Sequence, residues 1–482
     1  MKKYLSTILL LIGFLCYQPT SGEETGFPDL AESGESRLNT HNERVMGDMI
    51  MQKIYGSDFM VSDAVVNEYL SHLAKLFAEK AHLSKQELDF FGVNTPELNA
   101  FAFFGGHVAV HSGLILAVNN ESELAAVLAH ETAHIIQRHL ARILAASRQA
   151  MPLTMAEILA AAAIGALGSP EAGFHLATAA LAGHVQQMIN YTREHEQEAD
   201  RVGIKLLAET HFDPAAMASV FQKMKQHGFH QDTPPEYLLT HPVFDSRIAD
   251  AQNRAALFPT RQVTSSLYFE LIRARLEIMK NENSSKKVRR LKENLMNNTA
   301  LDKTPSQYAY ALALVHHGKT KEAIPILKTL VEEHPNEWVL QYGLIEAEDR
   351  DNQLETALTR NQTLLKQNPN NYALTLQQAS LLLKKKDPNK VIRLLSPQKE
   401  LHPADPFLYQ MLARAYGATK RLVLLHRSQA EWHFRRGEFK EAFMQLDLAL
   451  EYTNQDSILV DQINTRKDKM QNVVLQQKEL KF

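Results

Sequence analysis

The sequence predicts a mainly α protein in two parts, a helical domain carrying a small β-sheet and then a solenoid of paired helices. Three observations predict it. Apolar residues recur at spacings of three and four through much of the chain, as in Val65, Tyr69, Leu73 and Leu76. Three short alternating or apolar runs lie between residues 87 and 114, separated by Asn94-Thr95-Pro96 and Gly105-Gly106, as strands and turns are. Pro335, Pro369 and Pro403 stand 34 residues apart, a period of helix-pair repeats.

At 482 residues, 45% hydrophobic and 22% charged, the chain has the size of two or more ordinary globular domains. Its formal charge of −3 and the lack of a basic stripe point away from a nucleic-acid partner. Residues 1–22 begin with Lys2 and Lys3, continue through an apolar run from Ile8 to Leu15, and end in Gln18-Pro19-Thr20-Ser21-Gly22. That is the form of a cleavable export signal. The single cysteine, Cys16, lies inside it, and Gly13-Phe14-Leu15 before it lacks the small residue that lipid attachment needs. A soluble product follows, without disulfides, and a bacterial periplasm is the simplest location.

Residues 23–40 are polar and rich in Glu, Gly and Ser, the composition of a flexible leader. Helices are expected over Arg44–Tyr55 and Val61–Lys80, then strands over Glu87–Val93, Leu98–Phe104 and His107–Leu114. The run 107–113 is the expected edge to which an extended peptide could add as a further strand.

The next helix organises the domain. Asn120 followed by Glu123 reads as a capping box, and Leu124, Val127, Leu128 and Ile135 form a buried stripe. His130 and His134, four apart, sit one turn above each other with Glu131 beside them. In His-Glu-x-x-His the two imidazoles hold zinc and the glutamate can take a proton from water at the metal. Among 21 histidines this pattern alone is only suggestive, and a third ligand is needed.

Beyond it, Met155–Leu167 is apolar but only 13 residues long before Gly168-Ser169-Pro170-Glu171, too short for the ~20 residues a span requires. Two helices over the cleft, facing a membrane surface or an unfolded client, are expected between 151 and 183. Residues 191–203 then concentrate carboxylates. Glu196 and Asp200 are four apart, so one can bind metal while the other orients a metal-bound histidine. Glu196 is taken as the ligand and Asp200 as the orienter, with Glu194, His195 and Glu198 as local competitors. His107, His111, His139, His175 and His184 are read as ordinary polar residues of the surface or core.

His130-Glu131-Thr132-Ala133-His134 with Glu196-Gln197-Glu198-Ala199-Asp200 resembles the M48 family of zinc metallopeptidases. Asn94-Thr95, Asn99-Ala100-Phe101, Gly106 and His111-Ser112-Gly113-Leu114 resemble the family's segment before the zinc helix, and His241-Pro242 with Arg247 its downstream element. The similarity covers roughly residues 38–255, and within the family it is nearest to periplasmic members with a tetratricopeptide tail. The resemblance implies a helical zincin-type metallopeptidase domain over 41–261 and one zinc per chain. Its zinc ligands would be His130, His134 and Glu196, with Glu131 as general base. His241 or Arg247 could donate to the oxyanion, and His241 could instead take the metal's fourth position and hold the enzyme closed.

Residues 262–482 form the expected tetratricopeptide-repeat domain. Ala323 and Ala357, each twelve residues before its proline, share the 34-residue spacing, and Gly318 precedes Ala323 by five. Gly437 and Ala442 repeat that spacing of five out of phase, which suggests an inserted helix around Leu422–Phe434. Such arrays bind protein partners. The functional expectation is an exported zinc endopeptidase acting on misfolded or stalled envelope proteins, with assembling outer-membrane β-barrels and their assembly machinery as partners and peripheral membrane contact. The rival is a chaperone or assembly adaptor working through the repeats.

Overall fold

Asn120 starts the central helix: its backbone is extended, and its side-chain oxygen accepts the N–H of Glu123 at 2.9 Å. The Glu123 carboxylate reaches back one residue further than a capping box requires, accepting the N–H of Asn119 at 2.7 Å. In this computed structural model residues 40–57, 59–83, 88–147, 193–229, 237–238, 241–259, 264–280, 282–300 and 302–480 are described. The expected export signal, the leader up to residue 39 and the apolar helices of 151–183 lie outside the described residues.

The described chain is mainly helical with one three-stranded sheet. Helices α1 (Thr40–Gly56) and α2 (Ala64–Lys80) come first, the second capped by Asp63, whose carboxylate accepts from the N–H groups of Val65 and Val66. Strands β1 (Asp89–Val93), β2 (Ala100–Phe103) and β3 (His107–His111) follow. The third run does not stay extended to Leu114, because Ser112–Ala117 turns into the short helix α3. Gly105 and Gly106 both have positive φ, 85° and 79°, which lets the chain reverse between β2 and β3 at little steric cost.

The sheet order is β1-β3-β2, with β3 parallel to β1 and antiparallel to β2. The expected peptide-binding edge at 107–113 is therefore corrected: β3 is the central strand and both its edges are occupied. Among the described strands, the outer edge beside the site belongs to β2. His111 donates its N–H to the carbonyl of Asn99, so residues 99, 101 and 103 face β3 while the backbone of Ala100 and Ala102 faces outward.

Helix α4 (Glu121–Ile136) runs through the core and is buried on all sides from Glu121 to His134, not along one stripe. Around it lie α5 (His139–Ser147), α6 (Arg193–Glu209), α7 (Ala216–Phe229) and α8 (Asp245–Ala255). Leu124, Val127 and Leu128 join Tyr69, Phe77 and Phe221 in one apolar core.

After α9 (Leu267–Met279) and α10 (Ser284–Asn297), paired helices stack: α11 (Thr304–His316) with α12 (Thr320–Glu333), then α13 (Trp338–Arg350) with α14 (Leu354–Gln367). Next are α15 (Tyr372–Lys384) with α16 (Pro388–Leu395) and the single turn α17 (Gln398–Leu401), and α18 (Pro406–Ala418) with α19 (Leu422–Arg435). The last two are α20 (Phe439–Glu451) and α21 (Ser457–Glu479). Ala323, Ala357 and Ala442 are fully buried where a small side chain lets helices close together. The expected inserted helix is corrected. Residues 320, 354, 388 and 422 all begin second helices at the 34-residue period, so α19 is in phase and the slip falls after it.

The repeats fold back onto the first half. Arg275 on α9 donates to Asp63 at 2.8 Å, to the Tyr308 hydroxyl at 2.8 Å and to both oxygens of Glu346 at 3.0 and 3.1 Å. Tyr372 N–H reaches Glu68 at 3.1 Å, and Arg436 donates to the carbonyl of Tyr55 at 2.7 Å. Past α21, Leu480 packs on the cluster of Met46, Phe104, Ala141 and Leu144, and so touches the group that joins α1 to α5.

Candidate metal centre

Helix α6 approaches α4 closely because residue 203 is glycine. A Cβ there would stand 3.2 Å from the His130 nitrogen and 3.0 Å from the Met217 methyl, so a larger residue would push α6 away. At this distance Glu196 and Asp200, one turn apart on the buried face of α6, stand opposite His130 and His134. The chain then returns at His241, just before α8.

Four side chains converge: His130, His134, Glu196 and His241 are buried, with one ligand atom of each within 4.8 Å of the others. His130 Nε2 lies 3.0 Å from His134 Nε2 and 3.5 Å from Glu196 Oε2, and His134 Nε2 lies 3.5 Å from Glu196 Oε1. His241 Nδ1 lies 3.3 Å from His130 Nε2 and 3.0 Å from Glu196 Oε1. A tetrahedral ion held about 2.1 Å from each donor separates neighbouring donors by about 3.4 Å. Five of the six donor pairs, at 3.0–3.5 Å, lie near that spacing, and two imidazoles with two further N/O donors are a chemistry that suits zinc.

The groups behind the cluster hold it in place. His130 Nδ1 lies 2.9 Å from Asp200 Oδ1. Arg247 grips Asp200 with two hydrogen bonds of 2.8 and 2.7 Å, lies 2.7 Å from Glu196 Oε2 and donates to the carbonyl of Pro242 at 2.8 Å. These contacts turn the guanidinium toward the two carboxylates. Burial disfavours a charged His130, but Asp200 and Glu196 bring it up to about 9. Burial and the neighbouring His130 push His134 well below the usual histidine range. Glu196, despite its burial, is held well below the usual carboxylate range by His241 and His130.

Glu131 faces the other way, toward the sheet. Its Oε2 accepts the N–H of Ala102 at 3.0 Å and its Oε1 lies 3.5 Å from His241 Nε2. Burial pushes this carboxyl upward, offset in part by His241 and His130, a condition suited to a group that must take up a proton.

Every residue singled out in the sequence thus meets in one place: His130, Glu131, His134, Glu196, Asp200, His241 and Arg247. Of the competitors, Glu194 is exposed, while His195 and Glu198 face His139. His139, expected to be an ordinary polar residue, is fully buried with its Nδ1 2.7 Å from His134 Nδ1. Tyr237 was not singled out either, and its ring stacks on His241 with centroids 4.8 Å apart.

Comparison with known proteins agrees with this geometry. The family model "Peptidase family M48" matches residues 64–255 and "Tetratricopeptide repeat" matches residues 314–380. The beta-barrel assembly-enhancing protease of Escherichia coli (strain K12) is 32% identical over 449 residues, 92% of this chain and 91% of its own. The protein of that name from Yersinia pestis is 33% identical over 389 residues, 80% of each chain. A mitochondrial metalloendopeptidase OMA1 from Schizosaccharomyces pombe is 28% identical over 216 residues, 45% of this chain and 61% of its own. With likeness extending over nine-tenths of the Escherichia coli relative and the family's matched region containing the His130–Glu196 cluster, the chain belongs to peptidase family M48 and is a metalloendopeptidase with tetratricopeptide repeats.

Proposed function

We propose that this protein is a periplasmic zinc endopeptidase that degrades misfolded or stalled envelope proteins and assists outer-membrane β-barrel assembly. Residues 1–22 would direct export, 41–261 form the peptidase domain and 262–482 the repeat domain that recruits partners. The observation that carries the reading is the convergence of His130, His134 and Glu196 beside Glu131 at the outer strand β2. The client class is supported by the names of the relatives from Escherichia coli and Yersinia pestis. Among the described residues no helix is long and apolar enough to cross a membrane.

His130 and His134 through Nε2, with Glu196 through its carboxylate, would hold one zinc ion. Bound there, zinc supplies an acidified water and polarises the scissile carbonyl. The peptide extends along β2, pairing with the outward backbone of Ala100 and the carbonyl of Ala102, whose N–H is held by Glu131. Glu131 takes the proton of the attacking water and passes it to the leaving amine. Asp200 orients His130, and Arg247 neutralises Asp200 and Glu196 as a positioning residue. His241, whose Nδ1 lies 3.0 Å from Glu196 Oε1 and 3.3 Å from His130 Nε2, acts as a latch that must move aside before substrate enters.

The test is cleavage of an unfolded outer-membrane β-barrel protein by the zinc-loaded full chain and by its Glu131→Gln variant. Cleavage by the wild type alone, with client binding kept by both, supports the peptidase. Equal cleavage by the variant removes Glu131 from the chemistry, and assembly function that persists undiminished in Glu131→Gln cells favours the chaperone or adaptor role.

A further inference from the structure

His130 and His134 each turn Nε2 toward the other donors, which leaves Nδ1 to be held from outside. The two are held differently. Behind His130 stands a carboxylate, Asp200, at 2.9 Å. Behind His134 stands a second imidazole: His139 Nδ1 lies 2.7 Å from His134 Nδ1, with the rings edge to face at 74° and centroids 4.8 Å apart.

Two imidazole nitrogens form a hydrogen bond only when one carries the proton and the other does not. With His134 Nε2 kept bare for a ligand, its Nδ1 carries the proton and His139 Nδ1 accepts it. The His139 proton then sits on Nε2, which lies 3.1 Å from Glu198 Oε2. Arg142 donates to the same oxygen at 2.9 Å, so Glu198 is an ionised acceptor. The His195 ring stacks on His139 with centroids 4.6 Å apart and fixes its plane. No helical periodicity leads to this arrangement. Arg138 has φ of 50°, in the left-handed region, and this reversal between α4 and α5 brings His139 back beside His134.

We propose that His139 is a positioning residue for the metal centre, a neutral imidazole that accepts the Nδ1 proton of His134, fixes the tautomer that presents Nε2, and is itself fixed by Glu198 and Arg142. The proposal rests on the zinc reading above. Outer partners of this kind typically contribute 10–100-fold to metal affinity.

The test compares wild type, His139→Leu and His139→Gln full-length proteins by chelator competition for zinc and by the visible absorption of the cobalt-loaded forms, with the melting temperature of each metal-free protein alongside. Leucine fills the space without accepting a proton, whereas glutamine can accept from His134 and donate to Glu198. The expected result is zinc affinity about 10–100-fold weaker in His139→Leu, affinity and cobalt spectrum near wild type in His139→Gln, and similar metal-free melting temperatures. Wild-type affinity in His139→Leu overturns the proposal, as does equal weakening in both variants, which would make the site one of packing alone. A wild-type protein that binds no zinc would instead overturn the zinc reading and this inference with it.

Discussion

The backbone N–H of Ala102 donates to Glu131 Oε2 at 3.0 Å, joining the outer strand β2 to the glutamate of the histidine helix. One hydrogen bond thus aligns the strand on which a peptide would lie with the carboxylate that would act on it. Ala102→Pro removes this donor while leaving the β3 ladder intact, because the Ala102 backbone faces outward. A hydrogen bond to a charged group contributes about 1.5–3 kcal/mol, so peptide cleavage should fall by about 10–100-fold with zinc content unchanged. Steady-state kinetics beside elemental analysis checks this, and unchanged cleavage would detach the strand from the site.

His241 should act as a latch, because its Nδ1 lies 3.0 Å from Glu196 and 3.3 Å from His130 Nε2. His241→Ala should cleave peptides about tenfold faster, equivalent to a latch worth about 1.4 kcal/mol, with one zinc retained. Loss of activity with zinc retained would make His241 an oxyanion donor instead.

Arg247 is the counter-charge for two buried carboxylates, Asp200 and Glu196. Arg247→Met should destabilise the protein by about 3–5 kcal/mol by leaving them uncompensated, and should weaken zinc binding by about 10–100-fold. Arg247→Lys should rescue little, since an ammonium cannot reproduce the paired hydrogen bonds to Asp200. Denaturant titration and zinc competition read the two effects separately.

Arg275 joins α2, α9 and the repeats through Asp63, Tyr308 and Glu346. Arg275→Met should cost about 3–5 kcal/mol and expose the connection near Asp63 to limited proteolysis. Cleavage at the wild-type rate would show that the halves are held mainly by apolar packing.

Glu431 gives a pH prediction away from the metal. Its burial favours the neutral acid, but Arg466 and Arg435 hold it below the usual glutamate range. The folded pKa is depressed, so this contribution to stability is present above the unfolded value of about 4.3 and is lost as pH falls through the folded value. Glu431→Gln should lower the melting temperature at pH 7 and lower it less at pH 3, measured by scanning calorimetry.

The parts of the site legible in sequence are those that helix geometry dictates. His130 with His134, and Glu196 with Asp200, are each four residues apart, so each pair shares a face wherever its helix lies. His139 was not legible, because it reaches His134 through the left-handed turn at Arg138 and not through any period. The strands were visible from their alternation, but alternation does not identify neighbours, and placing β3 between β1 and β2 required the fold itself. The helix at Leu422–Arg435 looked inserted because Gly437 and Ala442 reset the visible pattern, although its start keeps the 34-residue step from Pro388.

The proposed zinc site of His130, His134 and Glu196 is decided by elemental analysis of the purified mature protein. About one zinc per chain is expected in the wild type, lost in Glu196→Ala and in the His130→Ala/His134→Ala double variant. A wild-type protein that stays metal-free in zinc-replete buffer would contradict it.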